Sequence, residues 1–479
     1  MKLLSLFSKK EILATKGEVE KIEILSLSQK SDKKTEAGLF FCINGISGDG
    51  HNYIKQAQEN GCIALVVERW VDSSLPQILV RNTRNLLPIV CKRFYKNLLK
   101  NIKLIGVTGT NGKTTISNII YQILNKDEKS AGLIGTNFIE YKDIKIASKM
   151  TTPDTVELFE ILSKMVKSGV KYVVMEVSAH SIALNKLSGI KFEVGVFSNL
   201  SQDHLDFFST MDNYADTKQR FLTKKFCKNV VINIDDEYGK KFALLTDSKL
   251  FSYGIYNPAD SFAMDINLTK NGSNFLLNVM DNVFDIHSNM LCMFNVYNML
   301  ASSVCAKILK LSNYAVAEVL NNVSKIDGRL NCYYLQNNSL AVIDYAHTPD
   351  GLEKVLTSLK QITKSKIIVV FGCGGNRDKT KRPIMGDIAS KIADVIVLTS
   401  DNPRNENPFD IIDQIANGIK NNKTYLKVEN RKKAIEYAVN ISKAGDIILI
   451  AGKGHEDYQE IQNVKHHFSD YEIIKPYIK

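Results

Sequence analysis

The apolar run Lys103-Leu104-Ile105 leads directly into Gly106-Val107-Thr108-Gly109-Thr110-Asn111-Gly112-Lys113-Thr114-Thr115. A strand that breaks into a glycine-rich turn and restarts as a helix points a row of unpaired backbone N–H groups at one spot, which suits a phosphate. Lys113 adds a point charge, and Thr114 a hydroxyl able to hold Mg²⁺. Strict phosphate-loop spacing asks for glycine six residues before the lysine. Val107 stands there, so the loop is a variant. A turn that merely caps a helix is the plainer reading of these ten residues, and the rest of the chain has to decide between the two.

From Lys103 onward the pattern is strand, loop, helix, repeated, which predicts a parallel sheet with helices on both faces. Further strands are expected at Lys171 to Val177, Val194 to Phe197 and Asn229 to Ile234. Each runs out into polar residues: Glu176, Ser178 and His180 after the first, Asn199, Asp203, His204 and Asp206 after the second, Asp235 and Asp236 after the third. Ligands bind beyond the carboxyl ends of such strands, so this placement gathers the polar residues around the glycine-rich loop. Residues 250 to 290 alternate apolar with Asn and Ser and read as an antiparallel insertion, after which Phe294-Asn295-Val296-Tyr297-Asn298 opens a helix.

A second strand and helix series follows, with strands at Ala341 to Ile343, Lys366 to Phe371, Val395 to Leu398 and Ile447 to Ile450. Ahead of the glycine-rich loop, Gly38 to Ile43 and Ile63 to Val67 read as strands flanking the loop Gly45 to His51. The fold class is therefore α/β with three domains, over residues 1–99, 100–325 and 326–479. The first is a small α/β unit, the second a parallel-sheet domain built on the phosphate loop, the third a second doubly wound domain.

Composition narrows the function classes. The 479 residues are 44% hydrophobic and 24% charged, as in ordinary globular proteins. No run reaches membrane-spanning length and Met1 to Lys10 lacks the features of a signal peptide, so no membrane and a cytoplasmic location are expected. The eight cysteines form no C-x-x-C pair and most lie in apolar segments, which predicts reduced core residues. A net charge of +11 comes from scattered lysines, which argues against nucleic acid and leaves a polyanionic small molecule as the compatible partner.

The motifs GTNGKTT at Gly109 to Thr115, TTPDT at Thr151 to Thr155, MEVSAHS at Met175 to Ser181 and SNLSQDHLDFF at Ser198 to Phe208 occur in one order with FNVYN at Phe294 to Asn298 and DGR at Asp327 to Arg329. DYAHTPD at Asp344 to Asp350, GCGGNRDKTKRP at Gly372 to Pro383, DNPR at Asp401 to Arg404 and GKGHED at Gly452 to Asp457 complete the series. In these the chain resembles the Mur ligases, the ATP-dependent amino-acid-adding enzymes of peptidoglycan precursor synthesis, over essentially its whole length. The resemblance implies a UDP-binding N-terminal domain, a central ATPase and a C-terminal Rossmann-like domain that binds the amino acid. It implies addition of meso-diaminopimelate to UDP-N-acetylmuramoyl-L-alanyl-D-glutamate through an acyl phosphate, and a monomer is expected.

The resemblance also assigns residues. ATP would be held by Gly109, Thr110, Asn111, Gly112, Lys113, Thr114 and Thr115, with Asn295, Arg329 and Asp344 on its adenine, phosphate and ribose sides. Mg²⁺ would be held by Thr114, Glu176 and His204. Lys218 matches a lysine that takes up CO₂ as a carbamate and so becomes an anionic metal ligand. Lys113, Lys218, Glu176 and His204 form the catalytic set. The UDP-sugar dipeptide would meet Ser31, Thr151, Thr152, Ser178 and Lys186, with Ser28 competing for the place of Ser31. Here the chain departs from the family, with Leu184 for a frequent glutamine and Lys186 for a frequent arginine, which loses the planar fork.

Diaminopimelate would meet Arg377, Asp401, Asn402, Pro403, Arg404, Gly452 and Glu456. Arg404 carries the choice of amino acid. A guanidinium can grip the distal carboxylate of diaminopimelate with two parallel hydrogen bonds, whereas lysine has no such carboxylate and would leave the arginine unpaired. A ligase adding L-lysine or another diamino acid at the same step is the nearest alternative. A phosphate-loop ATPase that acts as a switch, without ligase chemistry, is the remote one.

Overall fold

The structure is a computed structural model that describes every residue except 46, 47, 97, 324, 421 and 422. The predicted loop Gly45 to His51 therefore lies partly outside the described residues. Two compact units divide the chain: Met1–Gly106, Lys129–Gly195 and Arg220–Asn229 form one, and Val107–Glu128, Val196–Gln219 and Val230–Lys479 the other. The division does not follow the three expected domains, although each of those has a sheet of its own.

The N-terminal sheet has five strands: β1 (Ala14–Lys16), β2 (Ser26–Ser28), β3 (Gly38–Phe41), β4 (Cys62–Val67) and β5 (Gln77–Leu79). Their order is β1-β5-β4-β3-β2, parallel except for β1. Every residue of β3 is buried, as a strand covered on both faces requires.

The largest sheet holds β6 (Lys103–Thr108), β7 (Ala131–Ile134), β8 (Phe138–Tyr141), β9 (Ile144–Ala147), β10 (Tyr172–Glu176), β11 (Phe192–Phe197) and β12 (Cys227–Asn233). It continues with β13 (Lys249–Gly254), β14 (Ser261–Thr269), β15 (Gly272–Val279) and β16 (Asn282–Ser288). The order is β16-β15-β14-β13-β12-β11-β6-β10-β7-β8-β9. The expected insertion at 250–290 is the antiparallel ladder β14-β15-β16 at one edge. At the other edge β7, β8 and β9 pair antiparallel. These residues were not read as strands from the sequence, because two four-residue strands around the turn at Lys142 and Asp143 are too short to show a period.

Behind the glycine-rich loop runs α1 (Lys113–Lys126), which starts where Gly112 takes φ 85°. It buries Ile116, Ile119, Ile120 and Ile123, the i, i+3, i+4, i+7 stripe of an amphipathic helix. Two further helices matter for the site, α2 (Met211–Phe221) and α3 (Met293–Ile308), the latter packed on α1.

The C-terminal sheet comprises β17 (Asn331–Tyr334), β18 (Leu340–Asp344), β19 (Ile367–Phe371), β20 (Val395–Leu398), β21 (Tyr425–Lys427) and β22 (Ile447–Ala451), in the order β17-β18-β22-β19-β20-β21. All neighbours are parallel except β17 with β18. Period two sorts its side chains. Val342, Val369 and Leu449 enter one apolar cluster, and Ile343, Val370 and Ile450 the cluster on the opposite face. Against the first cluster lie α4 (Pro349–Ile362) and α5 (Lys381–Ile392). A hairpin of β23 (Tyr458–Ile461) and β24 (Val464–His467) leaves the end of β22. Seven of the eight cysteines are buried and unpaired as expected, and Cys332 is exposed.

Candidate active site

The glycine-rich loop is held in shape by the residues after β11. Ser198 Oγ donates to Asn111 O (2.5 Å), Asn199 Oδ1 accepts from Asn111 N (3.0 Å), and Thr110 N donates to Asn199 O (2.8 Å). A Cβ on Gly109 would stand 1.9 Å from Ser198 Oγ, at a φ of +149°, so only glycine fits there. Thr115 is buried in the first turn of α1.

Two lysines meet on this loop. Lys113 Nζ donates to Gly109 O (3.0 Å) and Thr110 O (2.8 Å), and Lys218 Nζ, from α2, donates to the same Gly109 O (2.8 Å). Lys218 is 1% exposed, with its Nζ over the Tyr214 ring at 4.8 Å. Burial first, and the Lys113 charge second, bring the Lys218 amine well below the ordinary lysine range. A weakened hold on the proton is what uptake of CO₂ by an amine would need.

His204 takes φ 56° before a short helix, and its Nε2 lies 3.2 Å from Asp203 Oδ2. Burial pushes the Asp203 carboxyl upward, but His204, His347, Lys381 and Lys113 together outweigh it and hold the group below its usual value. Asp203 is thus the anion that balances this cationic crevice, a part that a strand-exit position alone did not reveal.

Arg329 Nη2 donates to Thr114 Oγ1 (2.9 Å), and its guanidinium lies over the Tyr345 ring at 4.8 Å. Asp350, in α4, accepts from Asn111 Nδ2 (2.7 Å). The Asp344 carboxylate accepts from Leu330 N and Ala346 N, both at 2.8 Å, so it also shapes the turn that carries Arg329. Asn295 is buried in α3, with Nδ2 donating to Leu291 O and Oδ1 accepting from Asn298.

Glu176 closes β10 in the other unit. Its carboxylate accepts from Thr136 N (2.8 Å) and Thr136 Oγ1 (2.9 Å), and Thr136 Oγ1 reaches Thr151 Oγ1 (3.1 Å). Thr152 Oγ1 donates to Glu176 O (2.8 Å) and accepts from Ser178 N (3.0 Å), so Thr151, Thr152, Ser178 and Glu176 form one network. Thr136 was missed, though Gly135-Thr136 following the apolar β7 is another polar strand exit. Lys186 pairs with Asp154 (2.7 Å). Ser31 Oγ donates to Gln56 (2.7 Å), while Ser28 is buried and bonded to Lys30 O (2.7 Å).

At the carboxyl end of β20 the DNPR turn is built on a buried lysine that the sequence reading passed over. Lys453 Nζ donates to Asn402 Oδ1 (2.9 Å) and Tyr458 O (2.7 Å) and pairs with Asp401 (3.3 Å) and Glu456 (3.4 Å). Burial raises the Asp401 carboxyl, but Lys453 and Arg431 outweigh this and keep it low. Asn402 Nδ2 donates to Glu456 Oε2 (2.9 Å). Burial, then the Asp401 charge, raises Glu456 above its usual value, so an added cation beside it would be welcome.

Arg404 takes φ 52°, outside the ordinary range for a residue with a side chain, and its Nη1 donates to Gly375 O (2.9 Å). Pro403 O sits where a Cβ on Gly375 would be, 1.9 Å away. Gly452, at φ 113°, lies next to Asp401, and Arg377 is exposed.

A divalent cation fits this site in one form. Among the described residues no three His, Cys, Asp or Glu side chains gather as a cage. Magnesium bound through nucleotide phosphates, however, takes only one or two protein ligands. The Thr114 hydroxyl and the His204 imidazole are donors of the kinds such an ion accepts, and Lys218 would become one only as a carbamate, because its free amine competes for a proton.

The Mur ligase middle domain profile matches residues 107–306, and that of the Mur ligase, glutamate ligase domain matches 328–454. The UDP-N-acetylmuramoyl-L-alanyl-D-glutamate--2,6-diaminopimelate ligase 1 of Clostridium acetobutylicum is 43% identical over 465 residues, covering 96% of this chain and 95% of that one. The corresponding ligase of Clostridium tetani is 39% identical, covering 100% and 99%. A solved structure of UDP-N-acetylmuramoyl-L-alanyl-D-glutamate--2,6-diaminopimelate ligase superposes with a TM-score of 0.69 at 30% identity over 96% of both chains. MurF from Thermotoga maritima in complex with ADP shares the fold at 21% identity, with a TM-score of 0.64 over 89% of this chain and 93% of that one.

Proposed function

The chain belongs to the Mur ligase family, enzymes that form a peptide-like bond with ATP and release ADP, and from that premise we propose that it joins meso-diaminopimelate to UDP-N-acetylmuramoyl-L-alanyl-D-glutamate in peptidoglycan precursor synthesis. The observation that carries this reading is near-full-length identity of about 40% to relatives named for that reaction. The domains are then 1–99 for the UDP end, 100–325 for ATP and 326–479 for the amino acid.

The substrate carboxylate is a poor electrophile until its oxygen takes the γ-phosphoryl group of ATP, with ADP leaving. Attack by the amine on the acyl carbon then expels phosphate. Two anions must approach for the first step, so the crevice has to supply positive charge. Lys113 and the loop amides do so, and Arg329, stationed on Thr114, adds a guanidinium from the C-terminal domain. Mg²⁺, when bound, would be held by Thr114, His204 and the carbamate of Lys218, and would neutralise phosphate oxygens and polarise the phosphorus. The contacts of Arg329 and Asp350 with the loop support an ATP site completed by the C-terminal domain, which would exclude water from the acyl phosphate.

Arg404 is the residue for the distal carboxylate of diaminopimelate, and Glu456 the residue for its ammonium. Thr151, Thr152, Ser178, Lys186 and Ser31 serve the UDP-sugar dipeptide. Purified protein given ATP, Mg²⁺ and that dipeptide should release phosphate with meso-diaminopimelate and barely with L-lysine. Equal release with lysine overturns the specificity. Phosphate release with no amino acid present overturns the ligase reading.

A further inference from the structure

The β23-β24 hairpin does more than follow the GKGHED segment. Arg404 N donates to Glu460 O (3.0 Å) and Gln462 N donates to Arg404 O (2.9 Å), so the DNPR turn and the hairpin share a short backbone bridge. Glu460 N donates to Asn402 Oδ1 (2.9 Å), and Gln459 Nε2 to Asp401 O (2.7 Å). On this frame Glu460 Oε2 accepts from Arg404 Nε at 3.0 Å, with both side chains about four-fifths covered. Gly375 O takes Nη1, and Gly374 leaves the room that Nη1 needs, since a Cβ there would lie 2.9 Å from it. Among the described residues Arg404 Nη2 has no hydrogen-bond partner.

We infer that Glu460 is a positioning residue for the amino-acid substrate: by holding Arg404 Nε it sets the guanidinium plane and leaves Nη2 as the donor for the distal carboxylate. The inference rests on the reading of Arg404 given above. Arginine has many rotamers, and with Nε on Glu460 and Nη1 on Gly375 O the remaining Nη2 meets a carboxylate well only because the guanidinium is already aimed. Gly375 O fixes one point of the guanidinium and Glu460 a second, which leaves the plane no rotation. The carboxylate of Glu460 also offsets the cation while the pocket is open to water. A bond to Nε alone, with no second bond from Glu460 to Nη2, distinguishes this arrangement from a two-point ion pair that would consume the fork.

The test is a steady-state comparison of wild type with E460A, E460Q and R404A, measuring kcat and the KM of each of the three substrates. E460A should raise the KM for meso-diaminopimelate about tenfold or more, as loss of aim at a remote contact does. Its kcat and the KM values for ATP and the UDP-sugar dipeptide should stay within about twofold, a pattern of lost binding rather than lost chemistry. E460Q, whose amide oxygen still accepts from Nε, should return close to wild type. E460T, suited to a strand and too short to reach Nε, carries the same expectation as E460A should the alanine variant not fold.

A lower KM in E460A would mean that Glu460 competes with substrate, and an unchanged KM that it only staples the loop. Equal losses for all substrates, or a glutamine variant as poor as alanine, also overturn the inference. If R404A hurts diaminopimelate use and E460A does not, the inference alone fails. If R404A leaves diaminopimelate use intact, the reading of Arg404 fails and takes the inference with it.

Discussion

Lys218 illustrates how a side chain changes its chemistry without changing its formula. Wrapped by α2 and the glycine-rich loop, its amine has lost water and shares Gly109 O with a second lysine, so the proton is held poorly. Carbamylation would turn that cost into a ligand. Lys218→Ala should lower ligase turnover by about 10²-fold or more, the scale of losing one preorganised charge. Short carboxylic acids should restore part of the rate by standing in for the carbamate, and phosphate release with and without added acetate is the measurement. Activity of the alanine variant equal to wild type would remove Lys218 from the mechanism.

Also at this scale, Glu406 binds the fully buried Arg382 through two bonds of 2.9 and 3.0 Å and accepts from Asn376 N. The Arg382 hydrogen bonds bring its carboxyl from 4.5 to about 2. A depressed acid contributes stability above its unfolded value and loses it as pH falls through the folded one. The melting temperature of Glu406→Gln should therefore lie below wild type at neutral pH, and the gap should close between 4.5 and about 2. Melting curves across that range decide it, and a gap independent of pH would contradict the assignment.

At the scale of elements, the site is a set of loops pressed together at strand ends. Gly375 shows how tight the fit is: adding one methyl group there places a carbon 1.9 Å from Pro403 O, so the DNPR turn has to move. Overpacking of this kind costs about 1–3 kcal/mol. Gly375→Ala should lower the melting temperature and raise the KM for the diamino acid more than that for ATP, and a variant with three unchanged KM values would show the turn to be compliant. The apolar strands and their polar exits were legible in the sequence because both signals are local. Lys453 was not, since lysine between two glycines reads as a solvated charge. Only the fold shows it fully buried and bonded to Asn402 and Tyr458. Thr136 escaped for a related reason, because nothing in Gly135-Thr136 announces that Glu176 will fold over it.

For the whole molecule, the C-terminal region has two apolar clusters of its own, one on each face of its sheet. A fragment of residues 326–479 should therefore fold alone, with a cooperative thermal transition, even though Phe294 from α3 also packs on the first cluster. A broad, non-cooperative melt would place the boundary earlier, with α3 counted among the C-terminal elements. Among the described residues no helix is long and apolar enough to cross a membrane. The order of motifs along the chain, the α/β class and the strands that carry the chemistry were set by the sequence itself, because period, glycine placement and strand exits act over a few residues. Which groups touch was decided only by the tertiary structure. Lys218 reaches Gly109 across 109 residues and Glu460 reaches Arg404 across 56, and contacts at such separations depend on how sheets and loops pack, which no local pattern encodes.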